Sequence, residues 1–113
     1  MPYIDAKTNV KVTNEQKEAL IKEFGKAIEK IPGKSEEWLM VNVEGDRTMA
    51  FRGDFSPCVI VEIAIFGKAS NDAYDALTEC VCALTQRILG VPSDRTYVKY
   101  TEISHWGYDG FNF

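Results

Sequence analysis

One pattern, strand then amphipathic helix then strand, is written twice along this chain, and it leaves few folds open. Tyr3 to Thr8 reads as a short strand, and Thr13 with Gln16 has the spacing of a capping box, in which two side chains satisfy backbone N–H groups at a helix start. Leu20, Phe24, Ala27, Ile28 and Ile31 follow at helical spacing until Pro32-Gly33 ends the helix, and Trp38 to Glu44 is the next strand. The order then recurs. Cys58 to Phe66 is a strand, Ser70 a cap, and Ala73, Leu77, Val81, Leu84 and Ile88 mark one helix face up to Gly90. Tyr97 to Ile103 closes the series. Aligning Gly33 with Gly90 superposes Met40-Val41 on Tyr97-Val98, so the halves are expected to be related by a pseudo-twofold.

Two helices cover one face of a four-stranded sheet. Val59, Val61, Ile63 and Ile65 share one side of their strand and belong under the helices. Leu39, Val41 and Val43 alternate in the same way with Trp38, Met40, Asn42 and Glu44. The opposite face therefore mixes charges with large apolar groups that a lone subunit would leave in water, which predicts association through this face and the strand edges. The expected class is α+β: a two-layer sandwich of duplicated β-α-β units, one domain over residues 1–113, with a four-stranded mixed sheet and both helices on one face. His105 to Phe113 carries four aromatic residues among nine, unlike a disordered tail, and is expected to pack as interface or pocket wall.

Composition removes several function classes. The net charge is −4, with 13 basic residues scattered among 17 acids, whereas a nucleic-acid surface needs clustered Lys and Arg. The longest apolar run, Val59 to Phe66, is broken by Glu62, so neither a membrane span nor a targeting segment is expected, and the cytoplasm is the simplest location. Cys58, Cys80 and Cys82 are an odd number without framework spacing, and Cys80 and Cys82 point ~200° apart on a helix. With His105 as the single histidine, no zinc pattern exists, and no metal or cofactor is expected. Nucleophile-elbow and glycine-rich phosphate motifs are also missing.

The chain opens Met1-Pro2. A small second residue normally permits removal of the methionine, which would leave Pro2 as a secondary amine. Burial in an apolar pocket lowers the pKa of such an amine and makes it a general base near neutrality. The alternative is that Pro2 only stiffens the entry to a strand.

Beyond these patterns, the chain resembles the family of macrophage migration inhibitory factor and D-dopachrome tautomerase, in the tautomerase superfamily. The resemblance is carried by Pro2, Thr8-Asn9-Val10, Gly33-Lys34, Met49-Ala50-Phe51, Pro57-Cys58, Gly67-Lys68, Asp94-Arg95 with Tyr97, and the ending Gly107-Tyr108 through Phe113. It implies a homotrimer whose sheets form a barrel with the helices outside, so that Asn42, Glu44 and Glu62 would line a wet channel. It also implies a pocket at each subunit boundary that interconverts keto and enol forms of small aromatic keto acids such as phenylpyruvate.

By the same resemblance, Pro2 is the catalytic base, and Lys34 binds the substrate's carboxylate or carbonyl end while depressing the proline's pKa. The Phe66 amide donates to the substrate, and Tyr97 and Phe113 arrive from a neighbouring subunit. Lys99 stands where the family commonly has asparagine, and either grips a carboxylate or faces solvent. Tyr108 replaces a tryptophan, Arg52 a glycine and Ser35 a proline, which bears on substrate preference. Val61 stands where the family's second cysteine would follow Cys58, so thiol-redox activity is not carried over. Read without the resemblance, Lys34 is a solvated loop lysine. Two classes stay open: a proline-dependent tautomerase (an isomerase), and a cytokine-like effector that engages a cell-surface receptor, exported without a signal peptide, with its pocket vestigial. An intermediate reading is a superfamily enzyme with other chemistry, such as decarboxylation or dehalogenation.

Overall fold

A computed structural model describes all 113 residues. Strand β1 (Pro2–Thr8) leads to helix α1 (Asn14–Ala27) and strand β2 (Met40–Glu44); strand β3 (Val59–Phe66) leads to helix α2 (Asn71–Leu89) and strand β4 (Thr96–Ile103). The sheet order is β2-β1-β3-β4. Each β-α-β unit makes a parallel pair, and the two units meet through antiparallel β1 and β3. The expected duplication is thus built into the sheet about its centre. A hairpin of β5 (Gly107–Tyr108) and β6 (Phe111–Asn112) ends the chain.

Local chemistry explains the boundaries. The Thr13 hydroxyl accepts from Gln16 N–H at 3.1 Å, while the Gln16 side chain accepts from Thr13 N–H at 2.9 Å, completing the capping box. Ser70 accepts from Ala73 N–H at 3.1 Å, and Gly90 ends α2 with φ 73°, a left-handed conformation that suits glycine. Two boundaries differ from expectation by more than one residue. The α1 hydrogen bonding stops at Ala27 and tightens into a 3-10 turn over Ile28–Lys30, because Pro32 drives Ile31 out of the helical region to φ −91°, ψ 115°. Trp38, expected to open the strand, instead ends a second 3-10 turn, Glu36–Trp38, capped by Ser35, and β2 starts only at Met40. Trp38 consequently leaves the sheet.

Ile4 and Ala6 of β1 and Val59, Val61, Ile63 and Ile65 of β3 are buried beneath Leu20, Phe24 and Ile28 on one side and Leu77, Val81 and Leu84 on the other. The buried polar side chains are bonded: the Thr8 hydroxyl donates to the Cys58 carbonyl at 2.7 Å and that of Thr85 to Val81 at 3.0 Å. On the open face, register places Asn42, Asp5, Glu62 and Lys99 in one row across all four strands. Asp5 and Glu62 lie directly opposite each other, a repulsive arrangement. Lys7, 2.7 Å from Asp5 and 3.9 Å from Glu62, and Lys99, 3.3 Å from Glu62, offset it. Apolar groups flank this row, with Met40 on the outer strand 70% exposed. No helix is long and apolar enough to cross a membrane.

Candidate active site

The start of β1 lies against the end of β3, with Pro2 opposite Ile65. Phe66 is engaged on both backbone atoms: its N–H donates to the Met1 carbonyl oxygen at 2.9 Å, and its own carbonyl oxygen accepts from Lys34 Nζ at 2.9 Å. Lys34 gets there because the backbone reverses at Gly33, whose φ of 82° is open to glycine without strain. The terminal amine, carried by Met1 here, is held below its ordinary value of 8.0. Burial is the largest cause, followed by the positive charge of Lys34 and a hydrogen bond from Lys34.

Aromatic walls surround this terminus. A groove of about 630 Å³ runs beside Pro2, walled by Trp38, Met40, Trp106 and Tyr108, with Glu37 the one charged residue lining it. A second hollow of about 330 Å³ is formed by Met1, Trp38, Phe66 and Phe113. Met1 and Trp38 line both, and so stand between them. The Trp38 and Tyr108 rings meet edge to face at 5.3 Å, and Phe113 lies 5.9 Å from Phe66 and 6.3 Å from Tyr108. A depressed amine beside an apolar groove, with the Lys34 ammonium next to it, can hold an anion and take a proton from its neighbouring carbon.

The fold gathers Pro2, Lys34, Phe66, Tyr108 and Phe113 at one end of the sheet. Phe113, expected from a neighbouring subunit, reaches the pocket of its own chain, because the Asp109-Gly110 turn, with φ of 51° and 85°, folds β6 back along β5. Tyr97 and Lys99 lie elsewhere. Tyr97 pairs with Ile60, five residues along β3 from Ile65, or ~17 Å of strand. Lys99 bonds to Glu62 of its own face. Glu37 and Trp38 were not read as pocket residues from the sequence, since Trp38 continues the alternation of β2; Ser35, an N-cap type just before two acids, was the available signal for a helical turn there. No group of three or more His, Cys, Asp or Glu comes together that could hold a metal ion.

The profile of the macrophage migration inhibitory factor (MIF) family matches residues 1–112. The chain belongs to the MIF family. It is 24% identical to the macrophage migration inhibitory factor of Xenopus laevis, covering 100% of this chain and 99% of that protein. The Brugia malayi homologue is 26% identical, with the same coverage. Among solved structures, a Leishmania major MIF protein superposes with a TM-score of 0.93 at 24% identity, covering 100% of this chain and 97% of that one. The Toxoplasma gondii factor gives 0.89 at 27% identity, covering 98% and 99%. A more distant protein of the same fold, 15% identical over 97% of this chain and 95% of its own with a TM-score of 0.85, was crystallised after inactivation by 2-oxo-3-pentynoate. These relationships place this MIF-family chain in the tautomerase superfamily.

Proposed function

We propose that this chain, once Met1 is removed, is a keto–enol tautomerase of small aromatic 2-keto acids, acting as a homotrimer with Pro2 as general base. The observation that carries the reading is the Met1 amine, held low by burial and by Lys34, beside an aromatic groove that Pro2 also lines. Processing would free two groups at once. Pro2 would gain a basic secondary amine in place of a tertiary amide, and the Phe66 N–H would lose the Met1 carbonyl and become a donor for substrate.

In the reaction, Lys34 Nζ holds the substrate carboxylate and the neutral Pro2 nitrogen removes a proton from the carbon next to the keto group. Negative charge moves to the keto oxygen, where the Phe66 N–H stabilises it, and the protonated amine then delivers the proton to that oxygen. Ketonisation is the reverse. Inactivation of a fold relative by a 2-keto acid is in keeping with a site built for this group. A trimer is supported by the apolar residues left bare beside the charged row, and it offers the means to bring Tyr97 to a pocket its own chain cannot reach.

The second reading, an effector acting through a receptor, is favoured by the name its relatives carry, which describes an effect on macrophages. The test is phenylpyruvate turnover by mass-verified forms with and without Met1, and by processed Pro2→Gly. The expected result is activity in the processed form, none with Met1 retained, and a small residue in Pro2→Gly. Equal turnover with Met1 retained removes Pro2 as base and leaves the effector reading.

A further inference from the structure

The Arg95 side chain makes four hydrogen bonds and an ion pair, and all of them go to one loop. Its guanidinium donates to the carbonyl oxygens of Pro57 at 2.8 Å, Ser56 at 2.9 Å, and Phe51 and Asp54 at 3.3 Å, and it pairs with the Asp54 carboxylate at 3.0 Å. The side chain is only 14% exposed despite its charge. Four carbonyl dipoles converging on one point would repel without a cation there, so Arg95, with the Asn9 amide on the Met49, Phe55 and Ser56 carbonyls, holds residues 51–57 in shape. The tip of that loop is tight: Phe51 and Asp54 bond to each other on both backbone groups, and Arg52 and Gly53 between them both have positive φ, 55° and 81°.

The loop ends in a chain of rings. The Arg95 guanidinium lies 5.2 Å from the centre of the Phe51 ring, close enough for cation–π attraction. That ring meets Tyr97 edge-on at 5.1 Å and 88°. Tyr97 is itself 61% exposed, and Phe51 is its one aromatic partner. We infer that Arg95 is a positioning residue for the active site: through the 51–57 loop and the Phe51 ring it fixes the direction in which Tyr97 points out of its own chain. This rests on the proposed reading in which Tyr97 completes the pocket of a neighbouring copy.

The test is a double-mutant cycle on processed protein, using Arg95→Lys, which keeps the charge but loses the fork, and Phe51→Leu, which leaves Arg95 intact and serves where Arg95→Lys fails to fold. With Tyr97 present, each is expected to lower phenylpyruvate kcat/KM about fivefold, mostly through KM, the scale of one hydrogen bond. In a Tyr97→Ala background the same changes should cost less than about twofold, because the residue through which they act is gone. Equal losses in both backgrounds, or none in either, overturn the positioning role. Unchanged kcat/KM in Tyr97→Ala alone instead overturns the placement of Tyr97 in the pocket. A readout independent of turnover is the 3-fluorotyrosine resonance of Tyr97, assigned by its loss in Tyr97→Phe. It should move towards the position of a free tyrosine in Arg95→Lys and Phe51→Leu, and an unmoved signal in both counts against the inference even where the protein turns over no keto acid.

Discussion

Lys34 Nζ donates to the Phe66 carbonyl oxygen at 2.9 Å across 32 residues of chain, joining the turn after the first helix to the end of a central strand. A long, otherwise mobile side chain is thereby held beside the terminal amine. Lys34→Ala should raise KM for phenylpyruvate about tenfold or more, the scale of a charge-assisted hydrogen bond. It should also move the acid limb of the pH–rate profile upward. The amine must be neutral to act; Lys34 helps burial hold the Met1 amine below 8.0, and the same charge beside the Pro2 amine of the processed form is expected to act in the same sense, so that its removal raises that pKa. An unchanged KM and acid limb would show that Lys34 touches neither substrate nor base.

Trp38 forms a wall shared by both hollows while remaining half-exposed, so its removal should spare the fold. Trp38→Ala is expected to raise KM for phenylpyruvate about tenfold, as loss of apolar contact of this size would, and to leave pyruvate, which has no ring, nearly unaffected. Equal losses for both acids would place the effect on the reacting end of the pocket.

Association is tested by light scattering, where the expected mass is that of three 12.7 kDa chains. Met40 lies 70% exposed on an outer strand, so Met40→Lys puts a charge on an edge that would pair, and should yield smaller species. A wild-type monomer persisting at micromolar concentration would remove the trimer.

Asp5 gives a pH-dependent stability. Burial alone would raise its pKa, but hydrogen bonds from Lys7 and Asn42 outweigh it and hold the carboxyl below its ordinary 3.8. A depressed pKa stabilises the fold above the ordinary value, and the contribution is lost as pH falls through the folded one. Asp5→Ala should therefore cost about 1–2 kcal/mol in urea unfolding near neutral pH, with the deficit shrinking below 3.8. A deficit constant over that range would assign it to packing rather than charge.

Much of the fold was legible because neighbours in sequence encode it. The capping box at Thr13, the stop at Gly90 and the one-sided run Val59, Val61, Ile63 and Ile65 all express rules that act within one or two turns of backbone, and the structure keeps each. The repeated β-α-β order then restricts the sheet to a few topologies. Pro2 stood out as a potential terminal amine and Lys34 only through the family resemblance, and the Gly33 turn and the pairing of β1 with β3 brought them together.

Tertiary structure decided what depended on distance along the sheet. Trp38 carries the parity of a strand residue, yet a 3-10 turn rotates it out to wall the groove, since the gain from packing on Tyr108 is invisible to local alternation. Phe113 reaches its own pocket because a hairpin reverses the tail, whereas Tyr97, read with it as a pocket residue, sits ~17 Å along the strand from that site. Arg95 reads as one more surface cation until the 51–57 loop closes on it. Sequence patterning states which residues seek burial and which local turn they favour. Which side chains converge is set by strand order and register, through contacts between residues tens of positions apart that no short-range period records.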